Sequence, residues 1–179
     1  LHDALPIFMA TTVTPATLTV SLAESITLNG HEHGSVNTFS VSSVTQVYKR
    51  IVSCPANAET TIAIFNSIVG AAGGSADFDA GLDVNDVRYI RVTNLDSSNS
   101  ITLGLQIDEN ENDSVADETA SILLGPGKSF LMGAAEDVIG ISGTDALASA
   151  MVTDLVDLES LVVQPGAANN DVEIFVASV

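Results

Sequence analysis

His31 and His33, separated by Glu32 and framed by Gly30 and Gly34, put two imidazoles two residues apart. On an extended backbone they point the same way, so together they could offer two nitrogens to a metal. A mononuclear site wants a third or fourth ligand, and none can be named by spacing; a trimer could bring several such pairs around one axis. The competing expectation is an exposed polar turn. Two acidic stretches invite a calcium reading, because hard oxygen ligands at alternate positions can wrap one cation. Asp108, Asn110 and Asn112 fit the first three ligand positions of an EF-hand loop, but Asp113 stands where the sharp turn needs glycine. Thr119 occupies the twelfth position, with Glu118 one residue early. Asp77, Asp79, Gly81 and Asp83 also alternate; Gly81 brings only a carbonyl, and Asp86 misses the twelfth position. Both are expected to be solvated loops, with a weak structural calcium site as the alternative and no other cofactor.

Nucleotide and nucleophile chemistry fare worse. Gly125 to Ser129 (GPGKS) resembles the end of a phosphate-binding loop, yet the glycine required five residues before Gly127 is Ile122. Pro126 removes one of the amide donors such a cradle uses. A Pro-Gly pair at the centre of a type II turn explains the motif. Cys54, the one cysteine, precedes Pro55 and has no base to make it a thiolate, so it reads as a small buried residue at a strand end. It also excludes an intramolecular disulfide and any multi-cysteine zinc site. The chain carries no GxSxG elbow for a Ser-His-Asp arrangement, and no carboxylate pair can be singled out among its 23 acids. With 4% aromatic residues and no Trp, a sugar-stacking groove is not expected. The sequence predicts no catalytic site, and no enzyme.

Charge narrows the partners. Among 179 residues, 23 are Asp or Glu and 5 are Lys or Arg, for a net charge of −18. Lys49, Arg50, Arg88, Arg91 and Lys128 are too few and scattered to displace counterions from nucleic acid, and an anionic membrane surface would repel the chain. No stretch approaches the roughly 18 apolar residues that span a bilayer, so neither nucleic acid nor membrane is expected as a partner. At 46% hydrophobic the chain has the means for one full-sized core. The opening LHDALPI looks like the translation of a sequencing-library adapter, so residues 1–8 read as a non-native segment, Met9 as the native start and 9–179 as a single domain.

The elements that must hold these residues are strands. Leu18, Val20 and Leu22 alternate with Thr17, Thr19 and Ser21; Ile26 and Leu28 continue the period up to Asn29-Gly30, a dipeptide that accepts positive φ. Val41, Val44, Val47, Ile51 and Val52 mark a second β-rich region, interrupted by Lys49-Arg50, and 60–65 is a short apolar strand. Three pairs of strands are expected to be hairpins: 87–107 around Asp96 to Asn99, 121–132 around Gly125-Pro126-Gly127, and 158–178 around 165–170. Only 145–158 competes as a helix, with Leu147, Met151, Leu155 and Leu158 at helical spacing after Thr144. Short strands punctuated by Gly, Pro, Asn and Asp predict an all-β, antiparallel, jelly-roll-like β-sandwich with at most one short helix.

Within 9–53 and 84–132 and at the C-terminal end lie MATTVTPATLTVSLAESITLNG, VRYIRVTNLDSSNSITLGLQ, GPGKSFLMG and DVEIFVAS. These segments resemble small all-β virion structural proteins of marine tailed bacteriophages and their environmental relatives. The resemblance implies a subunit of the virion (capsid decoration, tail or fibre-associated) that works in many copies without catalysis, as a homo-oligomer touching other virion proteins. The alternative is a surface-displayed or secreted binding module, calcium-dependent or not, recognising carbohydrate or a cell surface.

Overall fold

A computed structural model describes residues 13–65, 82–107, 118–134, 139, 141 and 158–179. The four N-terminal strands form a ribbon. β1 (Ala16–Ala23) pairs antiparallel with β4 (Val36–Val44), and between them β2 (Thr27–Leu28) and β3 (His31–Glu32) make a small hairpin. Asn29 (φ 52°) and Gly30 (φ 79°) turn that hairpin with both central residues left-handed, the geometry whose twist matches paired strands.

After Thr45 come β5 (Gln46–Cys54), β6 (Thr60–Ile64), a 3-10 turn (Val84–Asp86), β7 (Val87–Asn94), β8 (Ile101–Ile107), β9 (Glu118–Leu124), β10 (Ser129–Gly133), β11 (Leu158–Pro165) and β12 (Asn170–Ser178). Among the described residues that 3-10 turn is the one helical element. The eight strands form two antiparallel sheets. The front sheet runs β10-β7-β12-β5 and the back sheet β6-β11-β8-β9. This is the double Greek key of a jelly roll, and the chain is a β-sandwich.

Every strand pair joined by a short connection has one member in each sheet: β5 and β6, β7 and β8, β9 and β10, β11 and β12. The three expected hairpins are therefore arches. Strand alternation does not separate the two, because both bury alternate residues. In a hairpin the two apolar faces point the same way, whereas in an arch each faces the other across the core. Face-to-face sheets lie about 10 Å apart, against roughly 4.8 Å for hydrogen-bonded neighbours, and the intervening segments easily cover the larger gap. The turn at Pro126-Gly127 is formed as expected, with Gly127 at φ 63° and the Lys128 N–H donating to the Gly125 carbonyl over 3.1 Å. A type II turn of this kind splays flanking strands instead of pairing them, which suits an arch.

The core lies between the sheets. Ile90, Val92, Val172, Ile174 and Val176 of the front sheet meet Ile101, Leu103, Leu105, Leu161 and Val163 of the back sheet. Each fully buried side chain of this size contributes about 1.5–3 kcal/mol. Cys54 ends β5 within this cluster, free and buried, and burial pushes its thiol pKa up, as a structural cysteine requires. Tyr48 ties the layers together by donating its hydroxyl to the Ile62 carbonyl over 3.1 Å, and the Arg50 guanidinium lies 5.4 Å from its ring centre. Leu158 opens β11; positions 145–157 of the expected helix lie outside the described residues.

Candidate functional site

Two places on this scaffold combine shape with distinctive chemistry. The first is the end of the sandwich where the four arches meet. Asn94, fully buried at the end of β7, knots the β7–β8 arch to the β9–β10 arch, and the Leu95 N–H on the Asp171 carbonyl (2.9 Å) brings in the β11–β12 arch. The Asn94 side-chain nitrogen donates to the carbonyls of Asn99 (2.8 Å), Leu124 (3.2 Å) and Gly125 (3.2 Å), and its oxygen accepts from the Asp96 N–H (3.0 Å). The fourth arch joins through the Ala56 N–H on Asn169 Oδ1 (2.8 Å) and the Asn57 N–H on the Gly166 carbonyl (2.9 Å). Beside the knot, Ser53, Asp96, Ser97, Asn169 and Asp171 line a hollow of about 440 Å³. The N–H groups of Ser98 and Asn99, both 2.7 Å from Asp96 Oδ1, hold the Asp96 carboxyl below its usual pKa. Asp171 takes the Ser53 hydroxyl. These carboxylates are engaged in shaping loops.

The second place is the outer face of the front sheet, which the N-terminal ribbon crosses as a partial third layer. Val20, Val41 and Val44 pack with Tyr89 and Ala177, flanked by Leu18, Phe39 and Phe175. Phe39 and Phe175 contact the Tyr89 ring at centroid separations of 6.2 and 5.9 Å. Gly133 makes this seat possible: a Cβ there would come within 2.9 Å of the Phe39 ring. Next to the ribbon, Glu173 is held between Arg91, whose guanidinium it accepts from, and Lys49, 3.3 Å away. Partial burial alone would raise the Glu173 pKa; the hydrogen bond from Lys49 and the charge of Arg91 outweigh it and leave the group below its ordinary range. Between β1 and this face runs a groove of about 380 Å³, lined by Leu18, Val20, Leu22, Leu131, Phe175 and the Tyr89 and Arg91 side chains.

From the ribbon projects an arm in which every residue from Ser21 to His33 is exposed. Its shape is set by Glu32. One carboxylate oxygen accepts from the N–H groups of Ile26 (3.0 Å) and Gly34 (2.8 Å), and the other from the Thr27 hydroxyl (3.1 Å). The Gly34 and Ile26 donors, then Thr27, hold the Glu32 pKa below its usual value. Glu24 closes the base of the arm by accepting from the Ser35 hydroxyl (3.0 Å).

Comparisons with protein-family models, curated proteins and solved structures found no match.

The predicted ligand residues are scattered across this frame. His31 and His33 sit exposed on the arm, where His31 pairs with Leu28 and the His33 N–H donates to the Ile26 carbonyl. The residue between them, Glu32, is the one with a structural task. Asp83 caps the 3-10 turn by accepting from the Asn85 N–H over 3.1 Å. Asp77, Asp79, Asp108, Asn110 and Asn112 lie outside the described residues. Among the described residues no group of three or more His, Cys, Asp or Glu side chains is placed to hold a metal.

Sequence reasoning missed the arm as a unit, although a signal for it exists. Residues 13–58 carry two acids, Glu24 and Glu32, and two bases, Lys49 and Arg50; residues 59–179 carry 20 acids and three bases. The negative charge therefore belongs almost wholly to residues 59–179, and the ribbon with its arm carries only Glu24 and Glu32.

Proposed function

We propose that this protein is a non-enzymatic structural subunit of a virus particle, of the capsid-decoration, tail or fibre-associated kind, acting through assembly in many copies. The observation that carries this reading is the pairing of a jelly-roll body with a preformed β-arm that, among the described residues, is exposed from Ser21 through His33. A jelly roll serves capsid proteins, lectin domains and cupins alike, so the body by itself does not choose among them. The arm does. Ile26, Leu28 and Val36 are more than half exposed on it, and exposed aliphatic residues grouped on an ordered element mark a contact surface. The strong charge of the remainder keeps copies apart everywhere except where contact is wanted. The segment resemblance to phage virion proteins points the same way.

Two measurements test the reading. Mass spectrometry of density-purified virus particles from the source of the gene should recover peptides of this chain, and the flanking genes should encode terminase, portal or capsid proteins. Absence from particles, together with a neighbourhood of secretion or metabolic genes, would overturn it.

A further inference from the structure

The arm and the groove are complementary in chemistry and lie on one molecule without meeting. Ile26 and Leu28, 55% and 57% exposed, are carried on a hairpin whose own backbone and side-chain hydrogen bonds are complete. Its order is established before any contact forms, which lowers the entropic cost of docking. The groove beside β1 offers Leu18, Leu131, Tyr89 and Phe175 as an apolar floor, and Leu131 is still 40% exposed. Along this groove runs the outer edge of β1, which among the described residues pairs only with β4. From Ala16 to Ala23 that edge has no charge and no proline, the two devices that normally blunt an open strand.

We infer that the arm of one copy docks into this groove on a second copy, with Ile26 and Leu28 covering Leu131 and Phe175 and the arm backbone pairing with the edge of β1. A second copy fits because of charge. An approach between two chains of −18 is repulsive over the acidic region, whereas the arm carries only Glu24 and Glu32 and no Lys or Arg, and the front face beside the groove holds Arg91 and Lys49 around Glu173, two cations to one anion. The arm and the groove are different surfaces of the chain, so the contact joins unlike surfaces of two copies. Such a contact closes into a ring or continues as a chain of subunits. Strand addition with aliphatic anchors is an established mode of recognition. This inference rests on the assembly reading above and names its contact.

The test uses the full chain. Light scattering over a concentration series should give a mass several times that of one chain for the wild type. It should give the single-chain mass for Ile26→Ser/Leu28→Ser, with an unchanged circular-dichroism spectrum because both positions are exposed within the single chain. Mixing an Ile26→Cys chain with a mass-tagged Leu131→Cys chain under mild oxidation should yield a mixed disulfide in excess of either homodimer. A monomeric wild type at all concentrations, an arm variant that stays assembled, or Ile26→Cys chains that link mainly to each other would overturn the inference. Particle proteomics is independent of all three outcomes, so a virion protein that assembles by another surface is told apart from a chain that is no virion protein.

Discussion

The sandwich and the ribbon are both antiparallel β-structure, yet they are held by different forces. In the sandwich, β7, β8, β11 and β12 bury two facing aliphatic layers, and the arches are tied by a fully buried asparagine. The ribbon has one apolar stripe against one sheet, and its projecting arm has none; there, a carboxylate accepting three hydrogen bonds replaces a core. The difference teaches what each part is for. Burial that is complete within the chain makes a rigid body, whereas an ordered strand pair with its apolar side chains left in solvent offers the kind of surface that the proposed assembly would use.

That contrast can be broken most severely in the body. Ile90→Asp or Val92→Asp, each placing an unpaired carboxylate at a site with no solvent exposure, should abolish folding through a loss of several kcal/mol. Circular dichroism and solubility check this, and a soluble variant with normal melting would show that β7 is not central. Asn94→Ala should be milder. It strips a donor from the Asn99, Leu124 and Gly125 carbonyls and should cost about 2–3 kcal/mol in urea unfolding, with the strands themselves intact. A change below half of that would mean that the arches are held by their backbones alone.

In the arm the same kind of change should be local. Glu32→Ala should speed amide exchange at Ile26 and Gly34 while leaving exchange in β8 and β12 unchanged. The pH dependence follows from the sign of the shift. The folded arm holds Glu32 below its ordinary 4.5, so this carboxylate supports the arm fully above that value, and the support is lost as pH falls through the lower folded pKa. The protection of those two amides relative to the intrinsic exchange rate at each pH should therefore fall on acidification in the wild type and stay flat in Glu32→Ala. Smallest of all, His31→Ala/His33→Ala should leave melting and assembly nearly unchanged. Lost assembly in that double variant would restore the imidazole pair as a ligand set.

Much of the body was legible in the sequence. The alternation through Val87 to Asn94 and Ile101 to Ile107 locates β7 and β8, and Asn29-Gly30 marks a true hairpin turn. What was not legible is which strands lie side by side. Ile101 and Val172 alternate with polar neighbours whether their strands turn back in one sheet or cross to the other, and only the global packing of eight strands decides. The site was read less well. The pattern His-x-His drew attention to two imidazoles, while the working residue was Glu32 between them, because hydrogen bonds to backbone N–H groups leave no trace in residue spacing. The neutral charge of residues 13–58 was the signal that could have exposed the arm.

By itself the sequence determined the all-β class, the absence of a charge pattern suited to nucleic acid and the approximate positions of most strands, since period-two alternation and turn residues are local properties. Tertiary structure decided the jelly-roll order, the conversion of three expected hairpins into arches and the exposure of the arm. Those depend on which apolar faces find each other, and burial is settled by the whole chain, not by neighbours in sequence.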